Sequence, residues 1–469
     1  MFIQINRDYD NKYIYQQIYE SMKQQILQRV LKVNEKLPSK RQLATQLQVS
    51  VNSVTLAYEQ LLVEGYIYTI ERSGYFVEDI RLFEVDHAIQ HTLPEDLKEQ
   101  VVHKGGWLSL SHMSNNSRMF PFKSWLKHQT EAIELFAKEL CELSEAQGPY
   151  ILRKNIASLI QSTRGVKCEP EQIIVHSTTL GLLEQFLLLQ AKDTVIALEN
   201  PGYARYDQLL KRHQFPVDYV PLDKYGVDIE ALRKGESQFL LTTPSHQFPT
   251  GKIMPISRRV ELLNWALEKE NRYIIEDDYD SEFKYKTDNI PSLQSLDYNS
   301  RVIYLGTFSK TLLPGMRISY MVLPIKLLRE YKAYFNSLIQ PANILAMYTL
   351  NQFIETGAYQ KHVRKMNLMY EQLRTELIKQ LMNRFGDNIE IVNIPAGLHF
   401  LVKVHTKKSY DQIEQALTKQ KLELYTICRF LLQEDAYYLR NRYLIVGFAN
   451  IDLADIDEAL NRFEQALFH

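Results

Sequence analysis

The sequence predicts an α/β protein in three parts: a small helical unit with a hairpin at the N-terminus, a large domain built on a mostly parallel, helix-covered sheet, and a small α+β subdomain at the C-terminus. Helical hydrophobic spacing followed by two short strand-like runs occupies residues 1–80. Beyond residue 107, strand-like runs alternate with helical ones, which is typical of a parallel sheet covered by helices. We therefore expect domains at 1–80 and 107–469, a linker at 81–106, and the small subdomain at about 330–469.

Composition and charge narrow the class of protein. The 469-residue chain is 45% hydrophobic and 24% charged, as in globular domains. No apolar stretch is long enough to span a membrane and the N-terminus lacks a signal-peptide pattern, so we expect a cytoplasmic protein without a membrane partner. The three cysteines are scattered, which favours free thiols over a disulfide or metal site. The net charge of −1 does not support nucleic-acid binding, so that function must be argued from local geometry.

The first 80 residues show a helix, a helix-turn-helix and a hairpin in that order. The first helix is predicted over 11–31, and Ser39 with Gln42 has capping-box form at the start of the second. Ser50 is placed to cap the third helix, which ends at Gly65. The apolar face of this helix and the two strand-like runs after it are Val54, Ala57, Tyr58, Leu61 and Leu62, then 66–70 and 75–77. This order predicts a winged helix-turn-helix.

Polar side chains occupy the opposite, N-terminal face of the third helix, which such a motif presents to the major groove. Asn52 there can bond adenine with two hydrogen bonds. Cations cluster at the start of the preceding helix, where they can bind phosphates, and Arg72 with Gly74 at the hairpin tip can enter a minor groove. The candidate residues for binding double-stranded DNA are Lys36, Ser39, Lys40, Arg41, Ser50, Asn52, Ser53, Thr55, Arg72 and Gly74.

Six strand-like runs and a long helical stretch define the remainder. The predicted strands of the large sheet are 172–175, 194–198, 238–242, 272–275, 301–305 and 318–323. A helical stretch follows at about 345–385, then strands at 398–404 and 443–448 and a closing helix from about 453.

Lys310 follows a predicted strand that ends in glycine, at the sheet edge where doubly wound sheets bind ligands. Its amine can form a Schiff base with pyridoxal 5'-phosphate (PLP). Thr307 and Ser309 supply hydroxyls for the phosphate, and Arg317 can add a bidentate donor. A lysine in this setting predicts a PLP site.

Further polar and aromatic residues follow other predicted strands at the same edge. Asp277 can pair with the pyridine nitrogen, and Tyr279 can reach the phenolic oxygen of the cofactor. Tyr203 presents a ring for stacking, while Thr178 and Thr179 lead into a helix whose N-terminus suits a phosphate.

The N-terminal part resembles the GntR-type winged helix in segments 37–44, 49–50, 61–66 and 74–77. It departs from that pattern at Val51, where the family usually has arginine, so one expected DNA contact is missing.

Residues from about 110 onward resemble fold-type I aminotransferases, with Lys310 as the Schiff-base lysine. The usual asparagine of that fold's Asn-Pro-Thr-Gly turn is Phe248 here, so a contact to the phenolic oxygen is missing. His246 and Gln247 are the candidates to compensate. The missing contact argues against efficient transamination.

Together the two parts resemble the MocR subfamily of GntR regulators, and most closely its GabR-type members. The resemblance is carried by segments 13–19, 242–249, 275–283 and 306–310. It implies a PLP-dependent transcriptional regulator, not an enzyme, that forms a domain-swapped, head-to-tail homodimer. It also implies that Arg205 and Arg429 hold the carboxylate of an amino-acid effector such as GABA, which is sensed through aldimine exchange. Two alternatives stay open: a PdxR-type regulator that senses PLP itself, and an active aminotransferase.

Overall fold

The computed structural model describes residues 3–6, 13–80, 93–99, 105–113, 117–285, 290–392 and 396–469. The chain divides into two compact units, Met1–Val102 and His103–His469. The division falls within the predicted linker 81–106, most of which lies outside the described residues. Within the described ranges, no helix has the length and apolar character needed to cross a membrane.

The N-terminal unit has the predicted order of elements. They are α1 Ile14–Leu27, α2 Lys40–Leu47, α3 Val51–Val63, β1 Ile67–Ile70 and β2 Gly74–Val77. The capping box of α2 is confirmed, because the Ser39 hydroxyl accepts from the backbone N–H of Gln42 and the Gln42 side chain accepts from the N–H of Ser39. The predicted face of α3 is buried against α1, and the hydroxyl of Tyr58 donates to the carbonyl of Pro38 at 2.8 Å. This bond ties α3 to the start of α2.

The large sheet has eight strands in the order β4-β11-β10-β9-β8-β5-β6-β7. The helices and strands from the linker to the end of this part of the chain are β3 Leu108–Ser109, α4 Phe122–Leu135, α5 Tyr150–Arg164, β4 Ile173–His176, α6 Thr179–Leu187, β5 Ile196–Asn200, α7 Ala204–Arg212, β6 Val217–Asp223, β7 Gly226–Val227, α8 Ile229–Lys234, β8 Phe239–Thr242, α9 Ile256–Leu267, β9 Tyr273–Asp278, β10 Val302–Thr307, β11 Ser319–Val322 and α10 Ile325–Phe335. All six predicted strands are present, and β6 and β7 were not predicted.

Strands β10, β9, β8, β5 and β6 run parallel, whereas β11 is antiparallel to both of its neighbours. Strands β5, β8, β9 and β10 are buried on both faces, whereas β6 is only partly buried. Their carboxyl ends therefore meet at one edge, where the loops after β8, β9 and β10 come together.

The small subdomain is built around the sheet β12-β13-β16-β15. Its elements are α11 Ile344–Glu355, α12 Ala358–Phe385, β12 Ile389–Val392, β13 His399–Val404, α13 Tyr410–Lys419, β14 Leu422–Glu423, β15 Tyr425–Thr426, α14 Ala436–Arg440, β16 Arg442–Gly447 and α15 Ile456–Leu467. The predicted stretch 345–385 is two helices, because Gly357 adopts a φ of +74° between them.

A segment far from the C-terminus also joins this subdomain. Strand β3 pairs with β14 in parallel, with Leu108 opposite Leu422, and Leu110 packs in the subdomain core. The chain therefore contacts the small subdomain within the first residues described after the linker, outside the range of about 330–469 that the sequence predicts.

Candidate functional site

A cavity of about 250 Å³ lies at the carboxyl ends of β8, β9 and β10. All nine predicted cofactor residues line it, as does Arg205: they are Thr178, Thr179, Tyr203, Asp277, Tyr279, Thr307, Ser309, Lys310 and Arg317. The parallel sheet thus brings together residues that are far apart in the sequence, because the carboxyl ends of its strands meet at one edge. Its size and mixed lining are those of a small-molecule site.

Lys310 lies three residues beyond β10 with its amine inside the cavity. The amine donates to the backbone carbonyl of His112 at 2.7 Å. Burial lowers the pKa of Lys310 to about 8, and the carboxylate of Asp280 opposes that shift. A larger share of this amine is therefore uncharged at neutral pH than for an exposed lysine, which suits a nucleophile.

Asp277 lies near the end of β9 and is buried. The hydroxyl of Tyr206 donates to its Oδ2 at 2.8 Å, whereas Oδ1 has no hydrogen-bond partner among the described residues. Burial raises the pKa of Asp277 to about 7. A buried carboxylate oxygen without a partner is costly, so Oδ1 awaits a donor such as a protonated pyridine nitrogen.

The neighbouring acids do not share this role. Asp278 pairs with Arg164 at 2.7 Å and accepts from the hydroxyl of Tyr304 at 2.5 Å. Glu276 accepts from the backbone N–H groups of Leu293 and Gln294. Of the acids that end β9, only Asp277 lines the cavity.

Hydroxyl and backbone donors also line the cavity. Thr178 caps α6, since its hydroxyl accepts from the N–H of Gly181 at 2.8 Å, and the N-terminus of that helix opens on the cavity. The Thr307 hydroxyl lies 3.1 Å from that of Ser309 and 2.9 Å from that of Ser319. With the guanidinium of Arg317, these groups form a site suited to a phosphate dianion. The whole donor set thus fits PLP.

Phe248 lines the cavity at the position where the resembled fold has asparagine. Neither expected substitute reaches the cavity wall. Gln247 is buried and its amide donates to the carbonyl of Pro201 at 3.1 Å. His246 lies behind Tyr279, with its Nδ1 at 2.9 Å from the hydroxyl of that tyrosine. Of these two residues, His246 is therefore the one that contacts a polar side chain lining the cavity, that of Tyr279.

The two predicted effector arginines differ in position. Arg205 lines the cavity near Tyr203. Burial raises the pKa of Tyr203, and the Arg205 guanidinium partly opposes that rise. Arg429 does not appear in the described lining of the cavity. Its guanidinium forms a bidentate pair with Glu414, at 3.0 Å and 3.1 Å, and stacks on the ring of Tyr425.

Several cavity residues were not predicted from the sequence. They are His112, Met113, Leu180, Tyr206, Thr243, Phe248, Pro314 and Ser319. Tyr206 was accessible to prediction, because it lies one helical turn beyond Tyr203 on the same face. His112 had no local signal, since its position depends on β3 pairing with a strand more than 300 residues away.

The candidate DNA-binding residues all belong to the N-terminal unit. Asn52 and Arg41 are exposed at the first turns of α3 and α2, and Thr55 is half-buried. The hydroxyls of Ser50 and Ser53 bond each other at 2.8 Å, and Ser50 caps α3. Val51 exposes 46% of its surface at the start of α3, so an apolar side chain occupies the position of the usual arginine.

The hairpin tip and the start of α2 adjoin each other. The backbone of Lys36 forms an isolated antiparallel β-bridge with Phe76 on β2, and the Lys40 amine lies over the ring of Tyr75. Lys40 also pairs with Glu59 at 3.6 Å. At the tip, Arg72 has a φ of +62° and Gly74 one of +116°. Ser39 remains engaged as the cap of α2.

Comparison with known proteins matches both units. Residues 14–77 match the gntR family of bacterial regulatory proteins, and residues 107–463 match aminotransferase class I and II. The HTH-type transcriptional regulator YdeL of Bacillus subtilis, described as uncharacterized, is 33% identical over 97% of this chain and 96% of its own length. The pyridoxine biosynthesis transcriptional regulator PdxR of Corynebacterium glutamicum is 30% identical over 95% of each chain.

A third relative is the probable rhizopine catabolism regulatory protein MocR of Rhizobium meliloti, 27% identical over 98% of this chain and 95% of its own length. Among solved structures, the multiple substrate aminotransferase from Thermococcus profundus superposes with a TM-score of 0.69 at 22% identity, covering 77% of this chain and 91% of that one. This likeness shows the fold alone.

The chain belongs to the GntR-family transcriptional regulators that carry an aminotransferase class I and II domain, the group that includes MocR and PdxR. Membership implies DNA binding by the N-terminal unit and PLP dependence of the large unit. The relatives are named as regulators and not as enzymes.

Proposed function

We propose that this protein is a transcriptional regulator that binds PLP at Lys310, senses a small molecule in the same cavity, and binds operator DNA through residues 13–80. The observation that carries the proposal is the convergence of nine predicted cofactor residues on one cavity, with the Oδ1 atom of Asp277 lacking a partner there. When bound, PLP supplies an electrophilic carbon to which an amine attaches.

Different residues contact different parts of the cofactor. Lys310 holds it covalently, Asp277 accepts from its pyridine nitrogen, and Tyr203 stacks on its ring. Tyr279 donates to its phenolic oxygen. The phosphate is bound by the remaining group, Thr178, Thr179, Thr307, Ser309 and Arg317.

The effector we propose is an amino acid with a carboxylate, such as GABA, whose amine displaces Lys310. Support comes from Arg205, which lines the cavity beside the proposed stacking residue Tyr203. Arg429 would add a second contact only after leaving Glu414. A difference in contacts between the two ligand states is what allows an effector to shift a conformational equilibrium.

One alternative has an observation of its own. The relative named PdxR makes PLP itself a candidate effector. In that case the protein senses whether PLP occupies the cavity, and not the displacement of Lys310 by an amino acid. An active aminotransferase is less well supported, because Phe248 removes a polar contact at the cavity wall.

Operator binding is proposed to require a head-to-tail homodimer with exchanged N-terminal units. One winged helix reads too few base pairs to select a genomic site, so two half-sites are needed. Sedimentation of the protein with its DNA would show a monomer binding at full affinity if this is wrong.

The test combines chemistry and DNA binding. Operator DNA is first selected from a random pool with purified protein. Binding is then measured without PLP, with PLP, and with PLP plus GABA, for wild type and Lys310→Ala. A sensor of amino acids changes its binding only when GABA is added to the PLP-loaded wild type, whereas a sensor of PLP responds to PLP alone. Steady conversion of GABA and a keto acid would instead identify an aminotransferase.

A further inference from the structure

Three side chains form a hydrogen-bonded chain behind the cavity wall: Asp280, His246 and Tyr279. The Nδ1 atom of His246 lies 3.0 Å and 3.2 Å from the two carboxylate oxygens of Asp280. The same nitrogen lies 2.9 Å from the hydroxyl of Tyr279. The His246 and Asp280 side chains are each 2% exposed, so water does not compete for these bonds.

The arrangement determines which atom carries each proton. The Asp280 carboxylate accepts from the backbone N–H of Leu398 at 3.2 Å and has no proton to donate, so the hydrogen between it and His246 belongs to Nδ1. The Nε2 atom of His246 is buried without a hydrogen-bond partner in the described ranges. The Asp280 carboxylate therefore fixes the tautomer of His246 that carries a hydrogen on Nδ1.

A protonated Nδ1 has no lone pair to offer, so Tyr279 cannot donate to it, and the Tyr279 hydroxyl oxygen shares the one Nδ1 hydrogen with Asp280 in a three-centre bond. The hydroxyl's own hydrogen is then directed away from His246. Tyr279 lines the cavity, so this hydrogen is available to a ligand there. Burial and the nearby carboxylate of Asp280 raise the pKa of Tyr279, which keeps the hydroxyl protonated.

We infer that Asp280 and His246 are positioning residues that fix Tyr279 as a hydrogen-bond donor to an anionic oxygen of the ligand, in place of the amide donor that Phe248 lacks. The inference rests on the proposed function, in which that oxygen is the phenolic oxygen of PLP. Tyr279, which lines the cavity, then donates to this oxygen. The direction of its hydroxyl hydrogen is fixed by His246, which contacts the hydroxyl.

The same hydrogen bonds engage most of the atoms that could otherwise bind a metal ion. His246, Asp280 and His399 lie close enough to hold one. However, His399 already bonds the carbonyl of Pro249 through Nε2 at 3.1 Å, and Asp280 already has two N–H donors. Hydrogen bonds therefore occupy the Nε2 atom of His399, the Asp280 carboxylate and the Nδ1 atom of His246, whereas the Nε2 atom of His246 has no partner in the described ranges.

A donor to the phenolic oxygen has a measurable effect on the adduct of Lys310 with PLP. It stabilises the anionic oxygen most when the nitrogen of the adduct has lost its proton, so it lowers the pKa of that nitrogen. Losing the donor should raise that pKa by about one pH unit, a tenfold change in the protonation equilibrium.

The decisive variant is Asp280→Asn. An amide that donates to Nδ1 moves the histidine proton to Nε2, so Nδ1 becomes an acceptor and takes the Tyr279 hydrogen away from the cavity. Asp280→Asn should therefore raise the pKa as much as Tyr279→Phe does. The double variant should show no further rise, because both changes remove one donor.

The experiment titrates the visible absorbance of full-length PLP-loaded protein between pH 5 and 10. His246→Asn keeps an N–H near the position of Nδ1 and should match wild type, whereas His246→Leu should match Tyr279→Phe. His399→Gln is the control for a neighbouring buried histidine, whose ring lies 4.7 Å from that of His246, and should leave the pKa unchanged.

The outcomes separate this inference from the proposed function. If wild type forms no borohydride-reducible adduct at Lys310, the proposed function fails. If the adduct forms in every variant but Asp280→Asn titrates like wild type, the positioning role fails while PLP binding stands. A stoichiometric metal ion in purified wild type that His246→Leu lacks would also overturn the inference.

Discussion

The amine of Lys310 and the backbone carbonyl of His112 are joined by a hydrogen bond of 2.7 Å. His112 follows β3 closely, and β3 begins two residues after Gly106 at the end of the predicted linker. An amine bonded covalently to a cofactor no longer donates as an ammonium group. This bond therefore belongs to the lysine that is not attached to PLP, and it places that lysine in contact with the segment leading from the N-terminal unit.

The first prediction concerns the rate at which Lys310 reacts with PLP. Only the uncharged amine attacks, and burial lowers its pKa to about 8. The rate should rise as pH increases from 6 to about 8 and then level off, whereas an exposed lysine would keep gaining up to about pH 10. Rapid mixing with PLP and absorbance detection measures this. Lys310→Ala should form no adduct, and a rate still rising at pH 10 would contradict the lowered pKa.

The second prediction concerns Asp277 in the cofactor-free protein. Burial raises its folded pKa to about 7, above the value of about 4 in an unfolded chain, so this carboxyl destabilises the fold increasingly as pH rises from about 4 to 7. Asp277→Asn should therefore melt about 5 °C higher than wild type at pH 8, with a gap about a third of that size at pH 5. Thermal unfolding followed by dye fluorescence at both pH values tests this.

The same substitution should weaken PLP binding by about 30-fold, or about 2 kcal/mol, because the pyridine nitrogen loses its charged partner. A melting gap of equal size at pH 5 and pH 8 would show that Asp277 does not titrate in this range.

The third prediction uses the pair between Arg429 and Glu414. If Arg429 binds the effector carboxylate, Glu414 competes with it for the same guanidinium. Glu414→Gln should then tighten the response to GABA, while Arg205→Ala should weaken it by about tenfold or more. Spectral titration of the PLP-loaded protein measures both. An unchanged midpoint in Glu414→Gln would remove Arg429 from the effector site.

The fourth prediction concerns phosphate contacts. Arg41 is exposed at the start of α2, so Arg41→Ala should weaken operator and random DNA alike and reduce the salt slope of log K by about 1. Lys40→Ala should have a smaller effect, because Lys40 pairs with Glu59 in the absence of DNA. Filter binding over a series of salt concentrations compares them. A loss confined to operator DNA would mark Arg41 as a base contact.

The fifth prediction concerns Asn52, which is exposed in the first turn of α3. Asn52→Ala should weaken operator binding by about 1–3 kcal/mol and leave random DNA unaffected, because a base contact is lost. Competition between the two DNAs gives the ratio directly. Thr55, half-buried on the same helix, supplies the comparison variant Thr55→Ser, which keeps the hydroxyl. An equal loss of affinity on both DNAs would show that Asn52 does not read a base.

Local features were predicted well from the sequence. The capping box of Ser39 and Gln42 depends on residues three apart, and the buried face of α3 depends on helical spacing, so both are visible without tertiary structure. The convergence of the candidate cofactor residues on one cavity was predictable because most of them lie at or just after the carboxyl ends of strands in one sheet, and parallel strands bring those ends together.

Features that depend on distant pairing were not predicted. Strand β3 has two residues and pairs with β14, so no local pattern marks it or the position of His112. The partner of Arg429 is a residue of α13, and sequence spacing does not show that this helix presents Glu414 to it. Likewise, the direction of the Tyr279 hydroxyl depends on His246, which the sequence only offered as one of two candidates for a different role.

The pairing of Leu108 with Leu422 attaches β3 to β14 of the small subdomain. A strand held by backbone hydrogen bonds moves with its partner, because sliding by one residue would turn its side chains to the opposite face. Leu110, two residues on, is anchored in the core of the small subdomain. A rotation of that subdomain would therefore carry β3 with it, and so would displace the first residues described after the linker.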